Sequence, residues 1–132
     1  MALTVTTPIQ MRFEDIDSFG HVNNIAQQSY FDLGKSDFFQ RLWQTVGESD
    51  ATPVMMVSVQ TDFLRQIRYG EKVEVSTHIE SIGTKSVTLQ QQILLCGEVC
   101  SRSRVVMVCY DKERGASVEV PTRGARWLSR CK

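Results

Sequence analysis

The sequence lacks a long apolar run and lacks an excess of either charge. No segment reaches the ~18 consecutive apolar residues of a transmembrane helix, so no membrane span is predicted. The 15 Lys and Arg residues equal the 15 Asp and Glu residues, whereas dedicated nucleic-acid-binding proteins usually carry a basic excess. The first residues show no basic segment followed by an apolar run, so no secretory signal is predicted. We therefore expect a cytoplasmic protein that binds neither nucleic acid nor membranes.

Cysteine and histidine are few and are not spaced for metal binding. The chain has 2 histidines and 4 cysteines, and the cysteines are Cys96, Cys100, Cys109 and Cys131. They show no CxxC spacing, and most lie in apolar, strand-like sequence. This pattern is typical of reduced, partly buried thiols. We therefore predict no metal site and no resident cofactor.

One long helical pattern dominates the first half of the chain, whose 132 residues suit a single domain spanning 1–132. After a predicted strand over 4–13, apolar side chains recur at helical spacing from about Asn24 to Val46. Their stripe consists of Tyr30, Phe31, Phe38, Phe39, Leu42, Trp43 and Val46. Gly34 inside this helix costs about 1 kcal/mol relative to alanine, which suggests close approach of another backbone.

After Pro53 the pattern changes to short alternating stretches rich in Val, Ile and Thr, separated by turn sequences. Such a series predicts an antiparallel meander, ending in a short strand at SVEVP (117–121). Residues 121–130 predict a short C-terminal helix. Because the long helix must bury its broad apolar stripe, it has to lie against the sheet. The predicted fold class is α+β, a curved antiparallel sheet wrapped around one long central helix.

The segment EDIDSFGHVNN (14–24) concentrates polar side chains just before the predicted helix. Its start resembles a calcium loop, but Phe19 and Ala26 stand where oxygen ligands are required, so calcium binding is not predicted. Asp and Asn also cap helices and stabilise turns, and Gly20 suits a positive φ. A purely local structural role is therefore one interpretation of this segment.

A catalytic role is the other interpretation. A helix start presents unpaired N–H donors and a partial positive charge, which would polarise a carbonyl oxygen and stabilise an oxyanion. A nearby carboxylate could attack that carbonyl or activate water. This combination suits acyl transfer without serine, cysteine or metal, although these residues alone do not distinguish Asp15 from Asp17.

The stretch RFEDIDSFGHVNN (12–24) resembles the D-x-D-x-x-G-H-V-N-N signature of the hotdog-fold acyl-CoA thioesterases, the 4-hydroxybenzoyl-CoA thioesterase-like family. A second stretch, DFLRQIRYGEKVEV (62–75), is similar to a later segment of that family, with Gln66 in place of proline and Glu71 in place of aspartate. The resemblance covers nearly the whole chain and departs at Gln27, where tyrosine is usual. It implies a hotdog fold and a dimer whose sheets join edge to edge, with acyl-CoA in clefts between subunits.

The resemblance also implies roles for individual residues. Asp17 aligns with the family's catalytic carboxylate and would act as nucleophile or general base. The other predicted site residues are Val22, Asn23 and Asn24 as backbone donors to the thioester oxygen, and Gly20, His21 and Asp32 as residues that shape the site. A solvated helix face for Asp32 and a loop role for His21 remain alternatives.

Three cationic residues, Arg65, Arg68 and Lys72, cluster around a predicted turn. Cationic side chains at the mouth of a cleft would suit the phosphates of coenzyme A. Basic residues on exposed strands and turns also deter edge-to-edge aggregation, so phosphate binding is one of the available interpretations.

The function that the resemblance implies is hydrolysis of an acyl-CoA thioester to the free acid and coenzyme A, which takes part only as a portion of the substrate. The alternatives that remain open are a non-catalytic module that binds an acyl thioester, and a hotdog hydratase or dehydratase that pairs Asp17 with His21. The expected partners are acyl-CoA or an acyl-carrier-protein thioester, together with further copies of the chain as a homodimer or a dimer of dimers.

Overall fold

One long helix lies across an antiparallel sheet of six strands. The structure is a computed structural model that describes residues 3–46 and 52–120. The elements are β1 (Val5–Pro8), a 3₁₀ turn (Phe13–Asp15), α1 (Asn24–Val46), β2 (Val54–Phe63), β3 (Glu74–Ile82), β4 (Ser86–Leu95), β5 (Glu98–Asp111) and β6 (Ala116–Val118). The predicted α+β hotdog fold and the predicted bounds of the helix are confirmed.

The first strand is shorter than predicted, because the strand expected over 4–13 extends only from Val5 to Pro8. Pro8 has no backbone N–H to donate, and a single further bond joins Ile9 N to Val73 O at 3.1 Å. A 3₁₀ turn follows, beginning where the Asp15 carboxylate accepts the backbone N–H of Arg12 at 3.0 Å. The helix predicted over 121–130 lies outside the described residues.

Strand β2 does not occupy the place that a simple meander would give it. Strands β3 to β6 pair in chain order, but β2 pairs with β5, so the order across the sheet is β1-β3-β4-β5-β2, with β6 also on β5. The prediction of a simple meander is therefore wrong for β2. Alternating apolar and polar residues indicate that a segment is a strand, but they do not indicate which strand pairs with it. The segment that connects β2 to β3 passes the start of α1. There the carbonyl oxygen of Ile67 accepts the N–H of Val22 at 2.7 Å.

The helix buries its apolar stripe against the sheet in two clusters. The cluster around its C-terminal half includes Phe38, Phe39, Leu42, Ile79, Leu89, Val105 and Met107. The cluster around its N-terminal half consists of Val22, Ala26, Tyr30, Phe31, Ile67, Val73, Val75, Ile93 and Cys100. Burying one large apolar side chain contributes about 1.5–3 kcal/mol, so this stripe holds the helix on the sheet.

A line of polar side chains separates the two clusters on the face of the sheet beneath the helix. It consists of Thr77, Gln91, Ser103 and Thr61, which are register partners on β3, β4, β5 and β2, and we call it the polar row. The Gln91 amide donates to Thr77 Oγ1 at 3.0 Å and to the Phe31 carbonyl of the helix at 2.8 Å. At the other end of the row, the Gln28 amide on α1 donates to Thr61 Oγ1 at 2.8 Å.

Gly34 marks a close approach of α1 to the sheet. A Cβ atom added there would lie 2.5 Å from Val75 Cγ1 and 3.3 Å from Gln91 Nε2. The close approach predicted at this glycine is therefore present, but side chains of the sheet make it rather than another backbone.

Candidate active site

The acidic segment before α1 folds back on itself as a tight turn. The N–H of Asp17 donates to His21 O at 2.8 Å, and the N–H of Gly20 donates to Asp17 O at 3.1 Å. Gly20 has φ 87°, a left-handed conformation that strongly favours glycine. Ile16 and Val22 close the turn as an isolated antiparallel bridge, so the backbone around Asp17 is fixed.

The carboxylate of Asp17 is held by one of its oxygens. Its Oδ1 accepts the N–H of Phe19 at 2.8 Å and the N–H of His21 at 3.3 Å. Its Oδ2 has no hydrogen-bond partner in the part of the chain that the structure describes. The half-buried side chain is therefore oriented by the turn while one oxygen stays free to react.

Asp15, the other acid of the D-x-D pair, is committed to the fold. It is 4% exposed and accepts hydrogen bonds from the Tyr30 hydroxyl at 2.7 Å and from the Arg12 backbone N–H at 3.0 Å. Burial alone would raise the pKa of Asp15, but these hydrogen bonds and the Arg12 guanidinium outweigh it and lower the pKa. Burial and the Asp15 carboxylate in turn raise the pKa of Tyr30. Asp15 therefore has a structural role, whereas Asp17 keeps one carboxylate oxygen unpaired among the described residues.

Replacing Asp15 with asparagine should lower the free energy of unfolding by about 1–3 kcal/mol near neutral pH, because a neutral amide accepts these hydrogen bonds more weakly. The folded-state pKa of Asp15 lies below its ordinary value of 3.8. Its stabilising contribution is therefore complete above that value and is lost as the pH falls through the folded-state value. Urea unfolding from about pH 7 to about pH 3 should show the gap between wild type and variant closing. A gap of constant size would contradict this account.

The start of α1 is capped by Asn23, whose Oδ1 accepts the N–H of Ala26 at 2.6 Å. The N–H of Asn23 donates to Asp15 O at 2.9 Å, and the N–H of Val22 donates to Ile67 O at 2.7 Å. These two N–H groups, predicted as donors to the thioester oxygen, are therefore already engaged. The N–H of Asn24 has no partner among the described residues, which leaves it as the free donor of the predicted three.

A groove of about 320 Å³ opens beside the helix start, and we call it the Asp17 groove. Its lining residues are Asp17, Phe19, His21, Val22, Asn24, Gln27, Phe63, Leu64, Arg65 and Gln66. The Asp17 carboxylate, which has one oxygen unpaired within the described residues, and Asn24, which has an N–H unpaired there, therefore line the same groove. Gly20 and Asn23 are not among its lining residues and act through the turn and the cap.

The three predicted phosphate-binding residues are dispersed. Arg65 lines the Asp17 groove, but its guanidinium is paired with Glu71 at 3.0 Å and with Glu98 at 3.4 Å. Arg68 lies beside the groove, because its backbone forms an isolated bridge with His21, and its exposed side chain has no ion pair in the described residues. Lys72 lines a different hollow, next to β1. The cluster predicted from sequence is thus only partly formed at the groove.

Asp32 does not share the groove with Asp17. It lines a larger cavity of about 750 Å³ that lies between α1 and strands β5 and β2, and its carboxylate is paired with Lys35 at 2.7 Å. Ile25 and Leu33 on α1 and Met56 and Val59 on β2 also line this cavity and are exposed. Within one protomer, Asp32 is therefore separate from the Asp17 site.

In the sequence, Gln27 stands out only as a departure from the tyrosine that is usual in the resembled family. The structure places its buried amide in the wall of the Asp17 groove, where it hydrogen-bonds the hydroxyl of Ser101 on β5. No local signal links Gln27 to Ser101, because helix and strand are far apart along the chain. The burial of Gln91 in the polar row was likewise not predicted.

Neither a metal-binding cluster nor a membrane-spanning helix is found in residues 3–46 and 52–120. They contain no group of three or more His, Cys, Asp or Glu side chains placed to hold a metal ion. Their helices include none that is long and apolar enough to cross a membrane. Cys100 and Cys109 are buried free thiols, as predicted, whereas Cys96 is exposed; Cys131 lies outside the described residues.

A curved antiparallel sheet wrapped around one long helix defines the hotdog fold. The chain belongs to the thioesterase-like superfamily, whose family model matches residues 11–128. The predicted assignment to the thioesterases is confirmed.

Individual relatives agree with this family. The chain is 33% identical over 111 residues to the YsmA protein of Bacillus subtilis strain 168, covering 83% of this chain and 75% of that protein. It is 26% identical over 129 residues to the 1,4-dihydroxy-2-naphthoyl-CoA hydrolase of Nostoc punctiforme, covering 89% and 82% respectively. The structure of a predicted thioesterase from Bacillus stearothermophilus matches with a TM-score of 0.84 at 27% identity, covering 98% of this chain and 96% of that one.

Proposed function

We propose that the protein hydrolyses an acyl-CoA thioester to the free acid and coenzyme A, with Asp17 as the reacting carboxylate. The observation that carries the proposal is that Asp17, with one free oxygen, and Asn24, with a free N–H at the helix start, line the same groove. A thioester carbonyl held there would have its oxygen at the positive end of the helix and its carbon exposed to the carboxylate. The hydrolase of Nostoc punctiforme, which acts on a naphthoyl-CoA thioester, supports this substrate class.

Asp17 can act in one of two ways in this arrangement. As nucleophile, its free oxygen adds to the carbonyl carbon, the C–S bond breaks, coenzyme A leaves as thiolate, and water then hydrolyses the mixed anhydride. As general base, it takes a proton from water, whose oxygen adds to the same carbon and expels the thiolate. Both routes consume one water per thioester. A single turnover in ¹⁸O-water that labels Asp17 and not the first acid released identifies the nucleophile route with water attacking the Asp17 carbon of the anhydride, whereas the base route always places ¹⁸O in that acid.

The coenzyme portion would leave the groove past Arg65, which lines it, and Arg68, which lies beside it. Arg68 is the better candidate for a phosphate contact, because Arg65 is already neutralised by two carboxylates. Lys72 would contact a more distant part of the coenzyme A portion of the substrate or none of it.

A homodimer through β2 fits this function. The strand lies at the edge of the sheet, and Met55, Met56, Val57 and Val59 on it are 42–55% exposed. A long apolar edge strand favours pairing with another strand. Light scattering of the purified chain measures the assembly, and a strictly monomeric species would contradict the dimer.

Release of free thiol from a panel of short-chain, long-chain and aromatic acyl-CoAs is the direct test of the function. We expect catalytic turnover of at least one aromatic or aliphatic member, detected with a thiol-trapping dye. Saturable binding of acyl-CoA without thiol release would support a non-catalytic binding module instead. Loss of enoyl absorbance without thiol release would support a hydratase.

A further inference from the structure

Gln27 carries a buried amide nitrogen that no described residue satisfies. The residue is 2% exposed, and its Oε1 accepts the hydroxyl of Ser101. Its Nε2 has no hydrogen-bond partner among residues 3–46 and 52–120. A buried donor left unpaired is costly, so the place of Gln27 in the wall of the Asp17 groove indicates an acceptor that arrives with a ligand.

The position of Gln27 on α1 directs this amide toward the helix start. Side chains of a helix lean toward its N terminus and cover the preceding turn. Gln27 follows Asn24 by about one turn, and both residues line the Asp17 groove. The hydrogen bond from Ser101 holds the oxygen of the amide, which turns the nitrogen away from the serine. Gln27 and Asn24 therefore each have an N–H donor without a described partner, and both residues line the Asp17 groove.

We infer that the Gln27 side chain donates a second hydrogen bond to the thioester oxygen, next to the Asn24 N–H. The inference rests on the proposed function and adds a catalytic residue to it. When Asp17 or water adds to the carbonyl carbon, the π electrons of the C=O bond move onto the oxygen, and both N–H groups stabilise the resulting charge. When the C–S bond breaks, the carbonyl re-forms and the charge leaves with the coenzyme A thiolate.

The test replaces Gln27 with methionine, which keeps the length of the side chain and removes both N–H donors. We expect kcat for the best acyl-CoA to fall by about 10²-fold with KM little changed, because the lost bond acts mainly on the oxyanion. A spectroscopic readout uses Asp17→Asn protein, which keeps the substrate intact, and a thioester labelled with ¹³C at its carbonyl. The bound C=O stretch should lie below that of free substrate, and adding Gln27→Met should move it back.

The matched control is Gln91→Met, the same substitution at an equally buried amide that lines the other cavity. It should lower stability and leave kcat unchanged. If Gln27→Met does not fold, Gln27→Met combined with Ser101→Ala takes its place, because it removes the amide donor and also the hydroxyl that would be left unpaired.

The results separate this inference from the proposed function. Failure of wild type to release thiol from any acyl-CoA would overturn the proposed function. Turnover by wild type that Asp17→Asn abolishes, together with an unchanged kcat and an unchanged C=O stretch in the Gln27 variant, would overturn only the role of Gln27.

Discussion

Replacing Asp17 with asparagine should reduce kcat for thioester hydrolysis by at least about 10²-fold, as expected for removal of a reacting carboxylate. Asparagine keeps an oxygen at the position of Oδ1, so the bonds from the N–H groups of Phe19 and His21 can persist and hold the turn. What is lost is the free oxygen, which becomes an amide nitrogen that neither attacks a carbonyl nor takes a proton. Thiol release under saturating acyl-CoA measures the effect.

The free energy of unfolding of Asp17→Asn should stay within about 0.5 kcal/mol of wild type, which separates a chemical role from a structural one. Asp62→Asn is the matched control, because Asp62 is an exposed carboxylate on β2, paired with Arg102, that does not line the groove. It should retain full activity. An Asp17→Asn enzyme with wild-type kcat would show that another group performs the chemistry.

Replacing Gly34 with alanine should lower the free energy of unfolding by about 1–3 kcal/mol, the usual cost of overpacking a core. The new methyl group would meet Val75 Cγ1 at 2.5 Å, a distance that real side chains essentially never adopt, so the Val75 side chain, the helix or the strand must move. This result runs against helix propensity, which favours alanine over glycine by about 1 kcal/mol. Urea unfolding measures the change.

A double-mutant cycle with Val75→Ala tests the cause. The second substitution removes Cγ1, the atom that the new methyl group meets, so it should cost less in Gly34→Ala protein than in wild type. Costs that simply add, or a Gly34→Ala protein more stable than wild type, would show that the contact with Val75 is not limiting.

The helix was predictable to its ends because a wide apolar stripe and the Asn pair at its start are local signals. The position of β2 in the sheet was not predictable from sequence. The strand with which β2 pairs depends on the path of the connection through Ile67, and alternation within β2 carries no information about that path. Contacts outside the helix start also decide which of the predicted donors to the thioester oxygen are free. The sequence placed Val22, Asn23 and Asn24 together at a helix start, but Ile67 and Asp15 take up two of the three N–H groups.

The choice between Asp15 and Asp17 shows the same division. The two acids are equivalent in sequence, and the resemblance to a known signature favoured Asp17. The structural distinction comes from Tyr30, whose hydroxyl reaches Asp15 from the next turns of α1 and draws that acid into the fold. The Gln27 side chain is oriented by its hydrogen bond with Ser101, which lies on a strand far along the chain. The local sequence around Gln27 does not predict this contact.

The polar row also protects the alignment of the sheet. Sliding β4 by two residues along β3 would keep every side chain on its own face and would leave the alternation satisfied. It would also carry the Gln91 amide away from Thr77 and from the Phe31 carbonyl and set it among hydrocarbon side chains with its donors unpaired. A single carboxamide thus makes the correct strand alignment the low-energy one and keeps the two ends of the interior distinct.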